Sequence, residues 1–369
     1  MLRPMSSPLD PMHAREPHQA SETHSARPAI FDLDIGNDPD DTVVALLIAR
    51  APERFRPRLL LTNDETPALG RARFLSQIMD AAGLHGAVAA GLPSPRRLAL
   101  SVVERAGLVA PDGPPVETDG IGALVAAVDA CDEVDYVSLG GLTNLAALLD
   151  RHREFADRIH LIQMGPMLVE SGRPRRPQYN VRLDPAAFVR AVAAVSSRTF
   201  LLSQISWARH GPGRRMSLGL YPDDPVAEAL ARSPGAGHRL LHAQLGAWCQ
   251  TGKPCSIQHD PLTLLSRHDA RLVRYESLDL QFDGSGLSDL SASSRERLIE
   301  IDQARAGPLA GCLTASEPID ALLQVTAQVS ISADYVLART AIIAGLLGPD
   351  AAVGESEWSD FNRVRDSES

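Results

Sequence analysis

The residues with the clearest capacity for chemistry are five aspartates gathered in one short segment, namely Asp32, Asp34, Asp38, Asp40 and Asp41. Two unit charges 4 Å apart repel by about 4 kcal/mol at an effective dielectric constant of 20, so several carboxylates in one turn need a compensating charge. A bound cation is the simplest compensation. Oxygen ligands alone favour a hard ion, Ca²⁺ or Mg²⁺, and Ca²⁺ tolerates the more irregular cage.

The elements on either side decide whether these aspartates can act together. Residues 29–33 form an apolar run typical of a buried strand, and residues 42–50 have the apolar spacing of a helix. The acidic turn would therefore lie at the carboxyl end of a strand, where open α/β sheets bind their ligands. The alternative is a solvated acidic loop in which an aspartate caps the helix. The strand before the turn favours the ligand-binding interpretation.

The rest of the chain repeats this alternation of apolar runs and helical patterns, which is typical of βαβ units around a parallel sheet. The predicted strands are residues 29–33, 58–61, 87–90, 134–139, 159–164, 199–202 and 324–331. The predicted helices include residues 42–50, 71–82, 122–130, 145–151 and 185–194. The sequence predicts one α/β, Rossmann-like domain over residues 29–347, with a mostly parallel sheet and flanking helices. Residues 1–28 are predicted to be a disordered tail and residues 348–369 a polar tail.

The composition of the chain excludes several kinds of partner and cellular location. The chain has 369 residues, 22% of them charged, and a formal net charge of −10. That charge provides no field to attract a polyanion, so we expect no nucleic-acid partner. No apolar run has the length of a transmembrane helix, so we expect no membrane partner. The four cysteines form no CxxC pair and suit reduced thiols, and no signal-peptide segment is visible, so the sequence predicts a cytoplasmic protein.

An Asp-x-Asp pair after the first strand also occurs in haloacid-dehalogenase-type phosphatases and in metal-dependent glycosyltransferases. The phosphatase chemistry expects a lysine near the end of a later strand. The single lysine of this chain, Lys253, lies in a Thr-Gly-Lys-Pro turn instead. A Mg²⁺-dependent phosphohydrolase with Asp32 or Asp34 as nucleophile is therefore the second hypothesis.

Six segments, in order, resemble motifs of the inosine-uridine nucleoside hydrolase family. They are the acidic turn and helix start at residues 34–46, then residues 118–122, 139–146, 162–165, 179–187 and 258–262. Any one of these motifs is weak evidence, whereas six in the same order are strong. The resemblance implies a single Rossmann-like domain, a Ca²⁺-dependent N-ribohydrolase acting on a nucleoside, and a homodimer or homotetramer.

The same resemblance implies roles for particular residues. The Ca²⁺ ligands would be the carboxylates of Asp34, Asp41 and Asp260 and the main-chain carbonyl of Thr143. Asp34 would also orient or deprotonate the attacking water, and His259 would protonate the leaving base. Substrate contacts would come from three further residues, Asp40, Asn63 and Asn180. Three of these roles have a structural alternative: Thr143, with Asn144, could cap the helix that begins near residue 145, Asn180 could be a turn residue, and His259 could be a satisfied buried histidine.

The segment before Asn180 departs from the family pattern. Gln178 stands where the family has an acidic residue, and three arginines, Arg173, Arg175 and Arg176, lie just upstream. A neutral amide beside arginines predicts an altered 5′ subsite, with Gln178 and Arg175 contacting a substrate such as a nucleoside 5′-phosphate. Solvated arginines on a surface flap are the alternative, and a non-catalytic nucleoside-binding homologue is the third functional hypothesis.

Overall fold

The structure is a computed structural model that describes residues 27–86, 88–96, 101–210, 215–301, 308–313 and 319–348. Residues 1–26 and 349–369, which make up most of the two predicted tails, lie outside the described residues. The strands are β1 (Ala29–Leu33), β2 (Pro57–Thr62), β3 (Val88–Ala89), β4 (Val134–Ser138), β5 (Ile159–Met164), β6 (Ser197–Leu201), β7 (Arg209–His210), β8 (Arg215–Met216), β9 (Gly219–Leu220), β10 (Ser256–Ile257), β11 (Val273–Phe282), β12 (Ser288–Leu290) and β13 (Leu323–Ala333).

A short 3₁₀ segment, Arg153–Arg158, accompanies the α-helices. The helices are α1 (Asp40–Arg50), α2 (Pro52–Phe55), α3 (Gly70–Ala81), α4 (Val102–Arg105), α5 (Gly120–Asp129), α6 (Thr143–Arg151), α7 (Tyr179–Leu183), α8 (Pro185–Ala194), α9 (Ser203–Ser206), α10 (Pro225–Arg232), α11 (Ala236–Cys249), α12 (His259–Ser266), α13 (Ala292–Glu300), α14 (Ala310–Leu313) and α15 (Tyr335–Leu347). No helix in the described ranges is long and apolar enough to cross a bilayer.

Nine of the strands form one sheet in the order β12-β11-β13-β6-β5-β4-β1-β2-β3. Six of its eight neighbouring pairs are parallel, and only the β11 pairs with β12 and β13 are antiparallel. This confirms the predicted α/β class and the mostly parallel sheet. All seven predicted strands and all five predicted helices are present, with bounds within two residues of the prediction wherever the residues are described.

The centre of the sheet determines where a ligand can bind. From β1 the chain runs outward through β2 to β3, and from β4 it runs in the other direction through β5 to β6. Strands β1 and β4 are therefore the topological switch point, where the loops at the carboxyl ends diverge and leave a crevice. The acidic turn follows β1, and Gly140 to Thr143 follow β4, so both segments border this crevice.

Burial explains why the central strands read as apolar runs. All five residues of β1 are buried because helices cover both faces of a doubly wound sheet, and Asp32 is the one charged residue among them. Helix α1 packs against α3, α12 and α15, while α6 packs against α5 and α8. Right-handed crossovers place these two groups on opposite faces of the sheet. Phe188, Phe200 and Phe282 pack together, with the ring of Phe282 edge to face against the other two.

Candidate active site

A cavity of about 790 Å³ opens at the carboxyl ends of the central strands. Residues that end or follow β1, β4 and β5 line it, among them Asp34, Leu139 and Met164. Its position at the switch point is the position at which α/β sheets of this kind bind ligands. Its volume lies within the range of about 300–1,000 Å³ that is usual for small-molecule sites.

Three carboxylates meet beside this cavity. Asp40 and Asp41 are the first two residues of α1, and Asp260 is the second residue of α12, which packs against α1. One carboxylate oxygen from each lies within 4.8 Å of the other two. Asp41 is 2% exposed, and its Oδ1 is buried without a hydrogen-bond partner among the described residues. We call these three residues and Asp34, which faces the same cavity, the acidic cluster.

Burial and mutual repulsion make this cluster reluctant to ionise. Removal from water, followed by the charge of Asp34, raises the pKa of Asp40 to about 7. The same two causes, burial first and neighbouring carboxylates second, raise the pKa of Asp41 and of Asp260 well above the ordinary range. Burial also raises the pKa of Asp34, although the Arg71 guanidinium opposes that rise. At neutral pH the cluster therefore needs either protons or a cation.

Arg71 fixes the main chain of the acidic turn. Its guanidinium is fully buried, donates to the carbonyl oxygens of Asp34 and Ile35, and pairs with Asp64 Oδ2 at 3.1 Å. The turn also needs the left-handed backbone of Gly36, whose φ is +108°. The sequence interpretation missed Arg71, and the signal for it was an arginine on the otherwise apolar buried face of α3.

Asp32 does not join the cluster, although the sequence grouped it there. Its two carboxylate oxygens accept hydrogen bonds from Tyr136 Oη at 2.5 Å, Asn63 Nδ2 at 2.9 Å and Asn144 Nδ2 at 3.1 and 3.2 Å. The side chain is fully buried. Burial raises the pKa of Asp32 to about 7, while the three donors oppose that rise. Asp32 thus ties β1 to β4 and to the segments that follow β2 and β4.

This network corrects the expectation for Asn63. Its Nδ2 is bonded to Asp32, and its Oδ1 accepts from the main-chain nitrogen of Gly141 at 3.2 Å. The residue is 1% exposed and is not among those that line the cavity. Asn63 therefore lies one layer behind the cavity and holds the loop after β4. It does not line the cavity in which a ribose hydroxyl would bind.

Gln178 and Asn180 both line the cavity, but they present different groups to it. Gln178 Oε1 caps α7 by accepting from the main-chain nitrogens of Asn180 and Val181 at 2.7 and 3.4 Å. The Asn180 Nδ2 donates to the carbonyls of Leu139 and Met164 at 2.9 and 3.3 Å. Within the described residues no hydrogen bond ends on Asn180 Oδ1, so that oxygen can accept from a ligand, whereas the Gln178 carbonyl is already occupied.

The arginine-rich segment enters the site differently from the prediction. Arg173 and Arg176 line the cavity, whereas Arg175, the residue predicted to contact substrate, does not. Arg173 Nε pairs with Glu170 Oε2 at 2.6 Å. Because these arginines lie in an irregular loop, sequence spacing could not decide which of them faces inward.

Thr143 and Asn144 begin α6, but neither side chain caps it. Leu142 occupies the N-cap position without a side-chain hydrogen bond. Thr143 Oγ1 donates to Asp184 Oδ2 at 3.3 Å, and Asn144 is committed to Asp32 and to the carbonyl of Thr62. The capping interpretation of these two residues is therefore wrong. The role predicted for Thr143 concerns its main-chain carbonyl, which follows β4 at the switch point.

His259 lines the cavity next to Asp260, and both of its ring nitrogens have partners. Trp207 Nε1 donates to His259 Nε2 at 3.3 Å, and His259 Nδ1 lies 2.5 Å from Ser206 Oγ. This pattern fits a neutral ring with its proton on Nδ1. Burial also lowers the pKa of His259 to about 4, so the ring is neutral at pH 7. His259 lies beside the cavity as the sequence predicted, but its pKa is too low for it to act as a general acid at pH 7.

Other cavity residues were not selected from the sequence. Two of the three tryptophans, Trp207 and Trp248, line the cavity, and Tyr179 is a third aromatic residue there. The single lysine, Lys253, also lines it, with its Nζ 5.7 Å from the centroid of the Trp248 ring. Arg182 completes the set, one helical turn after Tyr179. The spacing of 179 and 182 on one helix face was the signal for this pair.

The residues present suit a hard divalent cation. The available donors are carboxylate oxygens, which Ca²⁺ and Mg²⁺ prefer, and Asp41 Oδ1 is a buried acceptor without a partner. A cation there would offset the repulsion that raises the pKa values of the cluster. The geometry and the donor atoms of the acidic cluster therefore fit a metal site.

Comparison with known proteins gives the fold independently of the motifs. No protein-family model matches the chain, and no curated protein matches its sequence. Among solved structures, a plant nucleoside hydrolase is 18% identical, with a TM-score of 0.64 over 88% of this chain and 99% of that one. A purine-preferring ribonucleoside hydrolase from Gardnerella vaginalis is also 18% identical, with a TM-score of 0.62 over 87% of this chain and 99% of that one.

A third similar structure has a different description. It is the type III effector protein XopQ complexed with adenosine diphosphate ribose, which is 17% identical, with a TM-score of 0.57 over 88% of this chain and 94% of that one. Since these matches cover nearly the whole length of the solved chains, the likeness extends to the entire architecture. The chain has the α/β fold of the nucleoside hydrolases.

Proposed function

We propose that this protein is a divergent nucleoside hydrolase that uses Ca²⁺ to hydrolyse the N-glycosidic bond of a ribonucleoside or a related compound, releasing base and sugar. The observation that carries this proposal is the acidic cluster, with the unpartnered Oδ1 of Asp41, beside a ligand-sized cavity at the switch point. The resemblance of six sequence motifs and the shared fold of the nucleoside hydrolases support the same activity.

The metal would be held by the carboxylates of Asp34, Asp41 and Asp260 and by the main-chain carbonyl of Thr143. Ca²⁺ suits an irregular cage of carboxylates and carbonyls better than Mg²⁺, which demands near-octahedral geometry. When bound, the cation supplies Lewis acidity and a template that orients the ribose hydroxyls. Substrate could then enter from the cavity, because Asp34, Asp40 and Asp260 all line it.

The chain's own residues would supply the remaining chemistry. Asp34 faces the cavity with a raised pKa and would accept the proton of the attacking water. Asp40 and the Oδ1 of Asn180 would accept hydrogen bonds from ribose hydroxyls. An oxocarbenium-like transition state carries positive charge at the anomeric carbon, which the surrounding carboxylates stabilise. Asp38 also lines the cavity, with its Oδ1 accepting from Ser256 Oγ, and is the alternative to Asp40 as the ribose contact.

His259 would flank the leaving base as a neutral ring. Its Nε2 accepts from Trp207, and burial lowers its pKa to about 4, so that the ring is neutral at pH 7 and not an imidazolium acid. This changes the expectation that His259 protonates the base. We propose instead that His259 and Trp207 form one wall of the base-binding part of the cavity, because both line it and they lie edge to face.

A substrate larger than a simple nucleoside also fits this site. The cavity volume of about 790 Å³ exceeds what a nucleoside alone needs, and the XopQ structure, which shares the fold, holds adenosine diphosphate ribose. We therefore include 5′-modified and 5′-phosphorylated ribonucleosides in the proposed substrate class. A cytoplasmic location and a homodimer or homotetramer stay predictions from the sequence.

Base release from a panel of nucleosides and nucleoside 5′-phosphates, with Ca²⁺ or with EDTA, tests the proposal. We expect release only with Ca²⁺, and its loss in Asp41→Asn. Asp80→Asn, an exposed aspartate beside His85, is the matched control and should keep full activity. Activity unaffected by both EDTA and Asp41→Asn would contradict the metal assignment. Ligand binding without any base release would identify a non-catalytic homologue instead.

The Mg²⁺-dependent phosphohydrolase has weaker support. Asp32, one of its two candidate nucleophiles, is fully buried and has both carboxylate oxygens occupied by hydrogen bonds. Lys253 does line the cavity, but it lies in the turn between α11 and β10 and contacts Trp248. Phosphate release from the same nucleotide panel, with the N-glycosidic bond intact, would favour this alternative over base release.

A further inference from the structure

One wall of the cavity holds two polar atoms that have no hydrogen-bond partner in the part of the chain that the structure describes. Tyr179 Oη and Arg182 Nε are both buried and have no hydrogen-bond partner among the described residues. Both residues line the cavity, and the Arg182 guanidinium lies 5.8 Å from the centroid of the Tyr179 ring. A buried donor left without an acceptor costs stability, so two of them side by side need an explanation.

Arg182 differs from the other buried or half-buried arginines of the chain. Arg71 and Arg267 pair with the carboxylates of Asp64 and Asp135 at 3.1 and 2.6 Å. Arg198 donates instead to backbone carbonyls, including that of Val192 at 2.7 Å. In the described ranges no salt bridge or side-chain hydrogen bond from Arg182 reaches a protein acceptor. Its charge is therefore available to an anion in the cavity.

The surroundings of Arg182 favour an anion further. Arg176 lines the same cavity and is exposed, and the neighbouring Gln178 is neutral, with its carbonyl turned to the backbone of α7. The charges of both Asp34 and Arg182 act on the Tyr179 hydroxyl. One cavity is thus lined both by Asp34, Asp40 and Asp260 of the acidic cluster, which would hold the ribose diol, and by Tyr179, Arg182 and Arg176. A ligand that fills both regions needs hydroxyls at one end and an anion at the other.

We propose that Tyr179 and Arg182, assisted by Arg176, form a phosphoryl-binding subsite, so that the preferred substrates are ribonucleosides phosphorylated at O5′. The inference rests on the proposed function, because it assumes that the acidic cluster holds the 2′- and 3′-hydroxyls. With the base leaving from C1′, the C5′ oxygen is the position of the ribose left to carry a phosphoryl group. Phosphate oxygens accept in-plane hydrogen bonds from a guanidinium and one from a phenol, which matches the two unpartnered atoms.

Calorimetric titration with ribose 5-phosphate and with ribose, both in CaCl₂, tests this subsite without any need for catalysis. We expect ribose 5-phosphate to bind about 10- to 100-fold more tightly, the range for hydrogen bonds to a charged group. Arg182→Met, which keeps the aliphatic stem, should remove most of this preference. Tyr179→Phe should reduce it about 2- to 10-fold. Neither variant should lower the thermal midpoint by more than the loss of the contact between the Arg182 guanidinium and the Tyr179 ring, because neither removed polar atom has a hydrogen-bond partner among the described residues.

Arg190→Met is the matched control, since it removes the charge of an exposed arginine whose nearest carboxylate is Asp150 at 3.6 Å. It should leave the preference for ribose 5-phosphate unchanged. Equal affinity for the two sugars would overturn the proposal. So would a preference that survives both Arg182→Met and Tyr179→Phe.

Base release separates failure of the subsite from failure of the proposed activity. Faster hydrolysis of AMP than of adenosine, with the difference lost in Arg182→Met, supports both proposals together. Equal hydrolysis of the two keeps the hydrolase and overturns the phosphoryl subsite. No hydrolysis of either, with ribose 5-phosphate still preferred over ribose, keeps the anion subsite and overturns the hydrolase.

Discussion

Asp32 and Asp41 belong to the same acidic segment and are both buried, yet their surroundings are opposite. Asp32 receives hydrogen bonds from Tyr136, Asn63 and Asn144. Asp41 has other carboxylates around it, and its Oδ1 has no partner among the described residues. Burial raises the pKa of both. Donors satisfy the first carboxylate, whereas only a cation or a proton can satisfy the second.

This difference separates two uses of a buried carboxylate. A carboxylate with three neutral donors is a structural tie, because its removal would leave those donors unpaired. A carboxylate among like charges gives no stability by itself and persists where a ligand compensates it. In this protein the two uses are nine residues apart in sequence, one within β1 and one at the start of α1.

The largest effect is expected when a member of the acidic cluster is neutralised. Asp260→Asn should lower kcat/KM for base release at least about 100-fold, because it removes a ligand of the proposed cation. In metal-free protein at pH 7.5 the same change should raise the free energy of unfolding by about 1 kcal/mol, since it relieves repulsion by Asp40 and Asp41. Urea unfolding in EDTA measures this. A metal-free protein destabilised by the substitution would contradict the assignment.

The opposite effect on the free energy of unfolding is expected at Asp32, the structural carboxylate. Asp32→Ala should lower the free energy of unfolding by at least about 3 kcal/mol, because three buried donors lose their acceptor at about 1–3 kcal/mol each. The loss should be the same in Ca²⁺ and in EDTA. A loss seen only with Ca²⁺ would place Asp32 among the metal ligands and remove the distinction between the two carboxylates.

The pH dependence of stability distinguishes the acidic cluster from Asp32. Asp40 has a pKa of about 7 in the folded protein and an ordinary value near 3.9 when unfolded, so the folded state binds more protons between about pH 4 and 7. Its contribution to stability is fully present below about pH 4 and is lost as the pH rises through about 7.

The thermal midpoint of metal-free protein, measured between pH 5.5 and 8, should therefore fall with rising pH. Ca²⁺ should abolish the part of this slope that comes from the acidic cluster. The part from Asp32, whose pKa is also about 7, should remain. A midpoint that rises with pH in EDTA would contradict the raised pKa values.

The smallest effect is expected at His259. Because its ring is neutral and both nitrogens have partners, His259→Gln should lower kcat/KM less than about 10-fold at pH 7.5. The pH profile of kcat/KM should keep its shape between pH 5.5 and 7.5, because the pKa of His259 is about 4. Loss of an inflection near pH 6.5 in the variant would show that His259 donates a proton after all.

The sequence was sufficient for the parallel part of the fold. Strands β1 and β4 are buried throughout and β5 at four of its six positions, and all three could be recognised as short, mostly apolar runs. Strand β11 was missed because its burial is interrupted by exposed residues, and it pairs antiparallel with β13 across the 40 positions that separate Phe282 from Leu323. Local pattern carries no information on such a pairing, which tertiary contacts decide.

Site residues next to the end of a strand or a helix could be predicted from the sequence. The direction of side chains in loops could not. Asp34, Asp40 and Asp260 face the cavity because each follows a strand or begins a helix. Asn63 and Arg175 were placed by position in the chain alone, and the structure turns Asn63 toward Asp32 and leaves Arg175 off the cavity wall. Side-chain direction in these segments depends on partners that are distant in sequence.

Calorimetric titration of metal-free protein with CaCl₂ at pH 7.5, in parallel with Asp41→Asn, tests most directly whether the acidic cluster binds a cation. We expect one Ca²⁺ per chain in the wild-type protein and no measurable binding in the variant. Absence of binding by the wild-type protein, or equal binding by the variant, would contradict a cation held by Asp41, whose Oδ1 has no hydrogen-bond partner among the described residues.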